Sequence, residues 1–330
     1  MKKSYYLYNN GTLRRKDNTI QFETESGERR DIPVERVSDL YLFSETTLNT
    51  RFLNFMGAEG IAVHCYNYYD FYTGSFVPRT GLPAGALLVR QVEHYSNASK
   101  RLELAREFVL TAAANIYRNL RYYNGRGKNL EEPMQIVEGF QRDASKASSV
   151  QELMGFEGLI RQTYYQAWNT IVDQKIDFQK RIRRPPDNMI NTLISFVNSL
   201  IYTKTLTEIY HTQLNPTISY LHEPGVRRYS LCLDVSEVFK PLLADRLIFS
   251  LLNRNQITEE SFTEELNGLH LKKNASQLIV RELDTRLQKT IRHRDLDRQV
   301  SYQRLIRLEC YKLIKHLLGE KRYSGFQIWW

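Results

Sequence analysis

Gly74-Ser75-Phe76-Val77-Pro78-Arg79-Thr80-Gly81-Leu82-Pro83-Ala84-Gly85 concentrates Gly74, Pro78, Gly81, Pro83 and Gly85 in one short stretch. Neither a helix nor a strand runs through that density of breakers. The hydrophobic pattern changes character across it. Upstream, short apolar runs are separated by turn residues. Downstream, Val89–Tyr123 contains no proline and repeats its apolar residues every three to four positions, the period of an amphipathic helix. The stretch therefore predicts an α+β chain: a small β-rich domain over 1–70, a linker over 71–87, and a larger all-α domain over 88–330.

Within the first part, Asn10-Gly11 reads as a hairpin turn because both residues tolerate positive φ, and Lys16-Asp17-Asn18 and Ser26-Gly27 mark further turns. Leu48, Phe52, Leu53, Phe55 and Met56 recur at helical spacing and stop at Gly57 and Gly60, after which Ile61–Tyr66 returns to strand. In the second part, 130–176, 188–211, 231–252, 258–268 and 275–318 read as helical. No period of 20–50 residues suggests a repeat array. The apolar tail Phe326-Gln327-Ile328-Trp329-Trp330 reads as packing inward or meeting a partner.

Composition narrows the function classes. The 330 residues are 42% hydrophobic and 25% charged, which is ordinary for a globular protein, but the formal charge is +9. Such an excess suits a polyanion, chiefly nucleic acid or an anionic membrane, or it is a solvated basic surface. Cys65, Cys232 and Cys310 are odd in number and far apart, against a disulfide framework or a zinc ribbon and in keeping with a reducing compartment. The residues after Lys2-Lys3 are too polar for a signal peptide. No stretch approaches the roughly 18 apolar residues of a membrane span. A cytoplasmic protein with no membrane partner is expected.

The chemistry centres on Tyr220-Leu221-His222-Glu223-Pro224 and Ser230-Leu231-Cys232-Leu233-Asp234-Val235-Ser236-Glu237. A histidine stands in a Pro-bounded turn, followed by an apolar run with two acids three residues apart, which a helix brings to one face. Pro241 has no N–H for the carbonyl of residue 237, so a kink is expected beside Glu237. A second helix, Val150–Val172, carries an apolar stripe on which Glu157 falls between Met154 and Ile160. A carboxylate there must be paired, hydrogen-bonded or metal-bound. It is flanked by Gly155 and Gly158, each costing about 1 kcal/mol inside a helix, as though a ligand or another backbone comes close. A bond from Glu157 to a neighbouring helix, or a place at the stripe's edge, is the plainer alternative.

Glu157, His222 and Glu237 together suit Mg²⁺ or Mn²⁺, with the imidazole favouring Mn²⁺. Three protein ligands leave about three of six octahedral positions for water and phosphate oxygens, as metal-assisted phosphodiester chemistry requires. Asp234 is either a supporting or second-metal acid, or a helix N-terminal acid that satisfies backbone amides. The other histidines stand singly. With no HExxH, cysteine cluster, P-loop, GxGxxG or GxSxG, zinc hydrolysis, nucleotide cofactors and acyl transfer drop out. Cations for phosphate are plentiful: Lys180-Arg181-Ile182-Arg183-Arg184, Arg227-Arg228, and Arg281, Arg286, Arg292, Arg294, Arg298, Arg304 and Arg307 near the end. The 21 tyrosines, several among these basic segments, offer stacking faces for unpaired bases.

Taken together, Leu153-Met154-Gly155-Phe156-Glu157-Gly158, Arg184-Pro185-Pro186-Asp187-Asn188-Met189-Ile190-Asn191, Leu221-His222 and Leu231-Cys232-Leu233-Asp234-Val235-Ser236-Glu237-Val238-Phe239-Lys240-Pro241 resemble the CRISPR-associated adaptation endonuclease/integrase family, the first-named of the CRISPR-associated proteins, in its type I-B-like form. The resemblance spans essentially the whole chain. It implies a metal site of Glu157, His222 and Glu237, with Asp234 nearby and contributing to activity; the ranking of Glu237 above Asp234 rests on this pattern and not on spacing. It implies dimerisation through the β-rich domain and catalysis in the helical one. The implied partners are double-stranded and branched DNA, a second copy of the chain, and a small companion protein, with two dimers bridged by a companion dimer in a heterohexamer. The implied reaction inserts short DNA fragments into the CRISPR array by 3′-hydroxyl attack on a phosphodiester. A non-catalytic DNA-binding scaffold is the alternative. A small-molecule metallohydrolase fits less well, given the charge and the missing second histidine.

Overall fold

The structure is a computed structural model that describes all of the chain but residues 1, 79–83, 177, 183–185, 227 and 266–267, together with the side chain of residue 265. The chain divides into two compact units, Met1–Gly81 and Leu82–Trp330.

The first unit is built from β1 (Lys3–Leu7), β2 (Gly11–Lys16), β3 (Thr19–Thr24), β4 (Arg29–Pro33), β5 (Val37–Leu42), β6 (Thr46–Thr47), α1 (Thr50–Glu59), β7 (Ala62–Tyr66) and β8 (Tyr72–Phe76). They form two four-stranded sheets, ordered β1-β5-β7-β8 and β4-β3-β2-β6. Leu13, Ile20 and Phe22 of one sheet and Leu40, Leu42 and Val63 of the other close a core with Phe52, Phe55 and Met56 of α1. The turns at Asp17 (φ 50°) and Gly27 (φ 85°) stand as the sequence implies, and α1 ends on Gly60 in the left-handed region (φ 68°). Asn10-Gly11 is not a hairpin. β1 pairs in parallel with β5, and β2 pairs with β3, so this dipeptide passes the chain from one sheet to the other. Gly11 is needed there for closeness: a Cβ would stand 2.3 Å from the Glu23 carbonyl oxygen. Tyr72–Phe76, read above as linker, is a strand antiparallel to β7.

The second unit comprises α2 (Gly85–Ser96), α3 (Ala98–Asn124), α4 (Glu131–Ala144), α5 (Val150–Ile171), α6 (Met189–Tyr210), α7 (Ser230–Lys240), α8 (Arg246–Asn253), β9 (Phe262–Glu265), β10 (Gly268–Leu271), α9 (Lys273–Gln288), β11 (Thr290–Arg292), β12 (Gln299–Ser301) and α10 (Tyr302–Leu317). Asn97 breaks the long helical pattern after the linker by accepting from the Lys100 N–H and starting α3 anew. α6 is buried on nearly every side, polar residues such as Thr203, Lys204 and Glu208 included, and α7 packs against both it and α3.

This unit is not all-α. The stretch 258–268 is a 3₁₀ turn leading into the β9–β10 hairpin, and 275–318 is interrupted by the β11–β12 hairpin. The reason is local: Gly268 (φ 115°) and Asp297 (φ 45°) hold backbone conformations that no helix accommodates. Between α7 and α8, Pro241–Asp245 winds as a single π turn, the distortion expected where proline withholds its N–H.

Candidate metal centre

α7 supplies two of the four acids and bases singled out above, and the turn before it supplies a third. Asp234 is fully buried. Its Oδ2 accepts from the backbone N–H of Tyr220 (2.7 Å) and Leu221 (3.0 Å), while its Oδ1 accepts from the N–H of His222 (3.0 Å) and lies 2.8 Å from His222 Nδ1. Asp234 thus does satisfy backbone amides, but those of the preceding turn, not of its own helix end. The turn is held from its other side as well. Arg101 of α3 donates to the Tyr220 carbonyl at 2.9 Å and pairs with Glu223 at 2.7 Å, and Ser219 Oγ donates to the His222 carbonyl at 2.6 Å. With Nδ1 committed to Asp234, the ring directs Nε2 elsewhere, the arrangement by which carboxylates orient metal-binding histidines.

Glu157 arrives on α5. Ser149 caps that helix by accepting from the Glu152 N–H, and Glu152 Oε2 accepts from the Ser148 N–H at 2.7 Å. Glu157 lies two turns in, with its side chain 23% exposed. It is at the edge of the buried stripe rather than within it, and Met154 beside it is 37% exposed. Among the described residues, no atom of another segment comes within 4 Å of a Cβ placed at Gly155 or Gly158, so no described backbone approaches the two glycines.

Glu157 and Glu237 meet through a cation. Arg161 Nε donates to Glu157 Oε1 at 3.2 Å, and the other arm of the guanidinium donates to Glu237 Oε2. Lys240 donates to the remaining Glu237 oxygen, Oε1. Burial disfavours a charged Glu237, but Arg161 and Lys240 outweigh it and hold this carboxyl far below the usual range. Burial likewise opposes a charged His222, and the hydrogen bond and charge of Asp234 overcome it, raising the imidazole above its ordinary value. Asp245, at the end of the π turn, is pushed up to about 7 by burial, against the pull of Arg161. Its Oδ2 is buried with no hydrogen-bond partner among the described residues.

The structure thus joins His222 to Asp234 directly and Glu157 to Glu237 through Arg161. Among the described residues no three His, Cys, Asp or Glu side chains converge closely enough to hold an ion. The donor set, two carboxylates and a pre-aimed imidazole, fits Mg²⁺ or Mn²⁺ chemically, but Arg161 and Lys240 now supply the positive charge that an ion would bring.

Arg161 is not singled out by the sequence reading, and Lys240 enters it only as part of the family motif. Both had a signal: Arg161 follows Glu157 by four residues and Lys240 follows Glu237 by three, the spacings at which helical side chains pair. Several of the expected phosphate cations serve the fold instead. Arg181 donates to Asn191 Oδ1 at 3.0 Å and Ser195 Oγ at 2.8 Å, Arg286 donates to the carbonyls of Leu242 and Arg246, and Arg307 pairs with buried Glu208. Arg228 donates to the Glu223 carbonyl, and Arg183, Arg184 and Arg227 lie outside the described residues. All three cysteines are free thiols, and no described helix is long and apolar enough to cross a membrane.

Residues 5–285 match the family model described as "CRISPR associated protein Cas1". Among curated relatives, the "CRISPR-associated endonuclease Cas1" of Fusobacterium nucleatum is 62% identical over 330 residues, covering 100% of this chain and 98% of that one. Among solved structures, a Cas1 protein from Thermotoga maritima superposes with a TM-score of 0.88 at 42% identity, over 98% of this chain and 100% of that one. A casposase bound to its integration product shares the fold at a TM-score of 0.87 and 18% identity, over 98% and 92% of the two chains. The chain belongs to the Cas1 family of CRISPR-associated proteins.

Proposed function

We propose that this chain is a divalent-metal-dependent DNA endonuclease and integrase of CRISPR adaptation, with Mg²⁺ or Mn²⁺ held by Glu157, Glu237 and His222 Nε2. When bound, the ion polarises a phosphoryl oxygen and lowers the pKa of the attacking 3′-hydroxyl or water. The chain's own residues prepare that chemistry. Asp234 fixes the His222 tautomer and ring plane through Nδ1 and pins the turn through three amides. Arg161 and Lys240, once released from the carboxylates, would be cations available to a phosphate at this site. The open space beside Gly155 and Gly158 lets a DNA backbone approach Glu157. The observation that carries the reading is the Asp234–His222 clamp on the helix that bears Glu237, in a chain 62% identical to a relative named an endonuclease.

The reading extends to partners. Double-stranded and branched DNA are the substrates, the β-rich unit pairs two copies, and a small companion protein bridges two such dimers into a heterohexamer, as the family resemblance implies. A net charge of +9 agrees with a DNA substrate. The test is strand transfer of a short duplex into a supercoiled plasmid bearing the repeat, with Mn²⁺ and the companion present. His222→Ala and Glu157→Gln are each expected to lower transfer by more than about a hundredfold, beyond the 10–100-fold typical of a supporting residue. Full transfer by either variant contradicts the assignment.

One observation favours a second reading. Arg161 and Lys240 already neutralise Glu237, as they would in a metal-free DNA-binding scaffold. Equal DNA binding with and without EDTA, together with no cleavage of branched DNA, selects that reading.

A further inference from the structure

A groove of about 570 Å³ lies between α10, the β11–β12 turn and the C-terminal tail. Its tail wall is rigidly held. Glu309 Oε1 accepts from the Tyr323 hydroxyl at 2.7 Å and the Phe326 N–H at 2.9 Å, Glu107 accepts from the Gly325 N–H, and Asn115 clasps Phe326 and Ile328 through both ends of its amide. Gly325 makes the close fit possible, since a Cβ would stand 2.2 Å from Thr111 Oγ1. Trp329 is set in place by Phe326 and Trp330, with ring centroids 5.5 and 4.8 Å away, and Arg294 lies over its ring at 4.9 Å.

The charges around the groove are unequally matched. Lys312 pairs with Glu309 and Arg322 with Glu103. Lys315 and Lys321, both exposed, have no carboxylate within ion-pair distance among the described residues, and Asp295 is the one acid in the lining. Tyr311, one turn before Lys315 on α10, also lines the groove and is 37% exposed, with Arg304 6.0 Å from its ring centroid. An apolar, aromatic floor beneath unpaired cations is the composition that binds a single strand, with a base on the ring and phosphates on the ammonium groups. A duplex keeps its bases stacked inside and cannot use the floor.

We propose that this groove binds an unpaired DNA strand, with Tyr311 stacking a base and Lys315 and Lys321 holding phosphates. The proposal rests on the DNA-handling reading above, but not on the metal, so it is tested in EDTA. Fluorescence anisotropy with a labelled oligothymidylate of about eight nucleotides, within the usual footprint of such sites, is compared with a blunt duplex, thymidine monophosphate and polyglutamate as competitors. For Lys315→Gln/Lys321→Gln, strand affinity is expected to fall at least roughly tenfold. The slope of log affinity against log salt should become shallower by about 1.4, since each single-strand phosphate that a lysine neutralises adds about 0.7 to it. Tyr311→Ala is expected to lose about fivefold or more. Duplex affinity and the thermal midpoint should stay as in the parent, because both lysines are exposed and unpartnered. Unchanged strand affinity and slope overturn the proposal. So does an equal loss of duplex binding, which marks a general basic surface, and so does displacement by polyglutamate or by the mononucleotide as effective as by the oligonucleotide itself.

Discussion

The two halves of the candidate centre are held by opposite means. His222 sits on a buried carboxylate that collects three backbone amides and the imidazole, with Arg101 bracing the turn from behind. Glu157 and Glu237 come from different helices and are joined through the side chain of Arg161, while Lys240 holds the other Glu237 oxygen. The first half is fixed by main-chain geometry and is ready before any ligand arrives. The second is held by side-chain cations that, in the proposed function, a metal ion would displace. An electropositive strut of this kind offsets the repulsion between the two acids, and in that proposal it sets a threshold that an incoming ion would have to exceed.

Removing the strut should produce the largest effect on stability. In Arg161→Ala, buried Glu237 loses one of its two cationic partners and keeps Lys240, with both side chains of the lost pair about nine-tenths buried. Breaking such a pair from one side costs about 3–5 kcal/mol. Denaturant unfolding in EDTA should show that loss, whereas the stabilisation gained on adding Mn²⁺ should exceed the parent's, because Lys240 is then the one cation left on Glu237 among the described residues. A parent-like response to Mn²⁺ would mean the strut and the ion do not share a place.

The fixed half should give the next largest effect. Asp234→Asn keeps the shape but turns an amide N–H₂ toward donors, so stability is expected to fall by about 2–3 kcal/mol, the scale of a hydrogen bond to a charged group. Strand transfer should fall about 10–100-fold as His222 loses its orientation. Normal transfer by this variant would reduce Asp234 to a structural role.

The halves should also differ in the sign of their pH dependence, the smallest of these effects. His222 is raised, mainly by Asp234 against the cost of burial. Its stabilisation is therefore complete below the ordinary histidine value and is lost as pH rises through the higher folded value. Glu237 is lowered, by Arg161 and Lys240 against burial. Its stabilisation is present above the ordinary glutamate value and is lost as pH falls through the folded one. Unfolding free energies measured across pH should lose the alkaline limb in Asp234→Asn and show a weaker acid limb in Arg161→Ala, where Lys240 still holds Glu237. Any exchange of those limbs would invert the electrostatic account.

The same contrast explains what could be read from the sequence. Hydrophobic period and breakers placed the β-rich and helical parts, because burial dictates both patterns. The Pro241 distortion followed from a missing N–H. Long-range pairing was not legible: Asn10-Gly11 has hairpin chemistry, yet β1 finds its partner in the distant β5. The hairpins at 262–271 and 290–301 were hidden because short strands of mixed polarity resemble helix ends until Gly268 and Asp297 are seen at positive φ. At the centre, Glu157, His222, Asp234 and Glu237 stood out by chemistry and by family resemblance. Arg161 was visible only as an ordinary helical neighbour and Lys240 only as part of the family motif, since nothing in a one-dimensional pattern says that one guanidinium bridges two helices.

Calorimetric titration of Mn²⁺ into the EDTA-stripped, desalted protein, alongside Glu157→Gln, His222→Ala and Glu237→Gln, tests the central claim most directly. The account predicts one ion per chain in the parent, with binding lost or weakened at least about tenfold in each of the three variants. Retention of one ion at parental affinity in all three would contradict it.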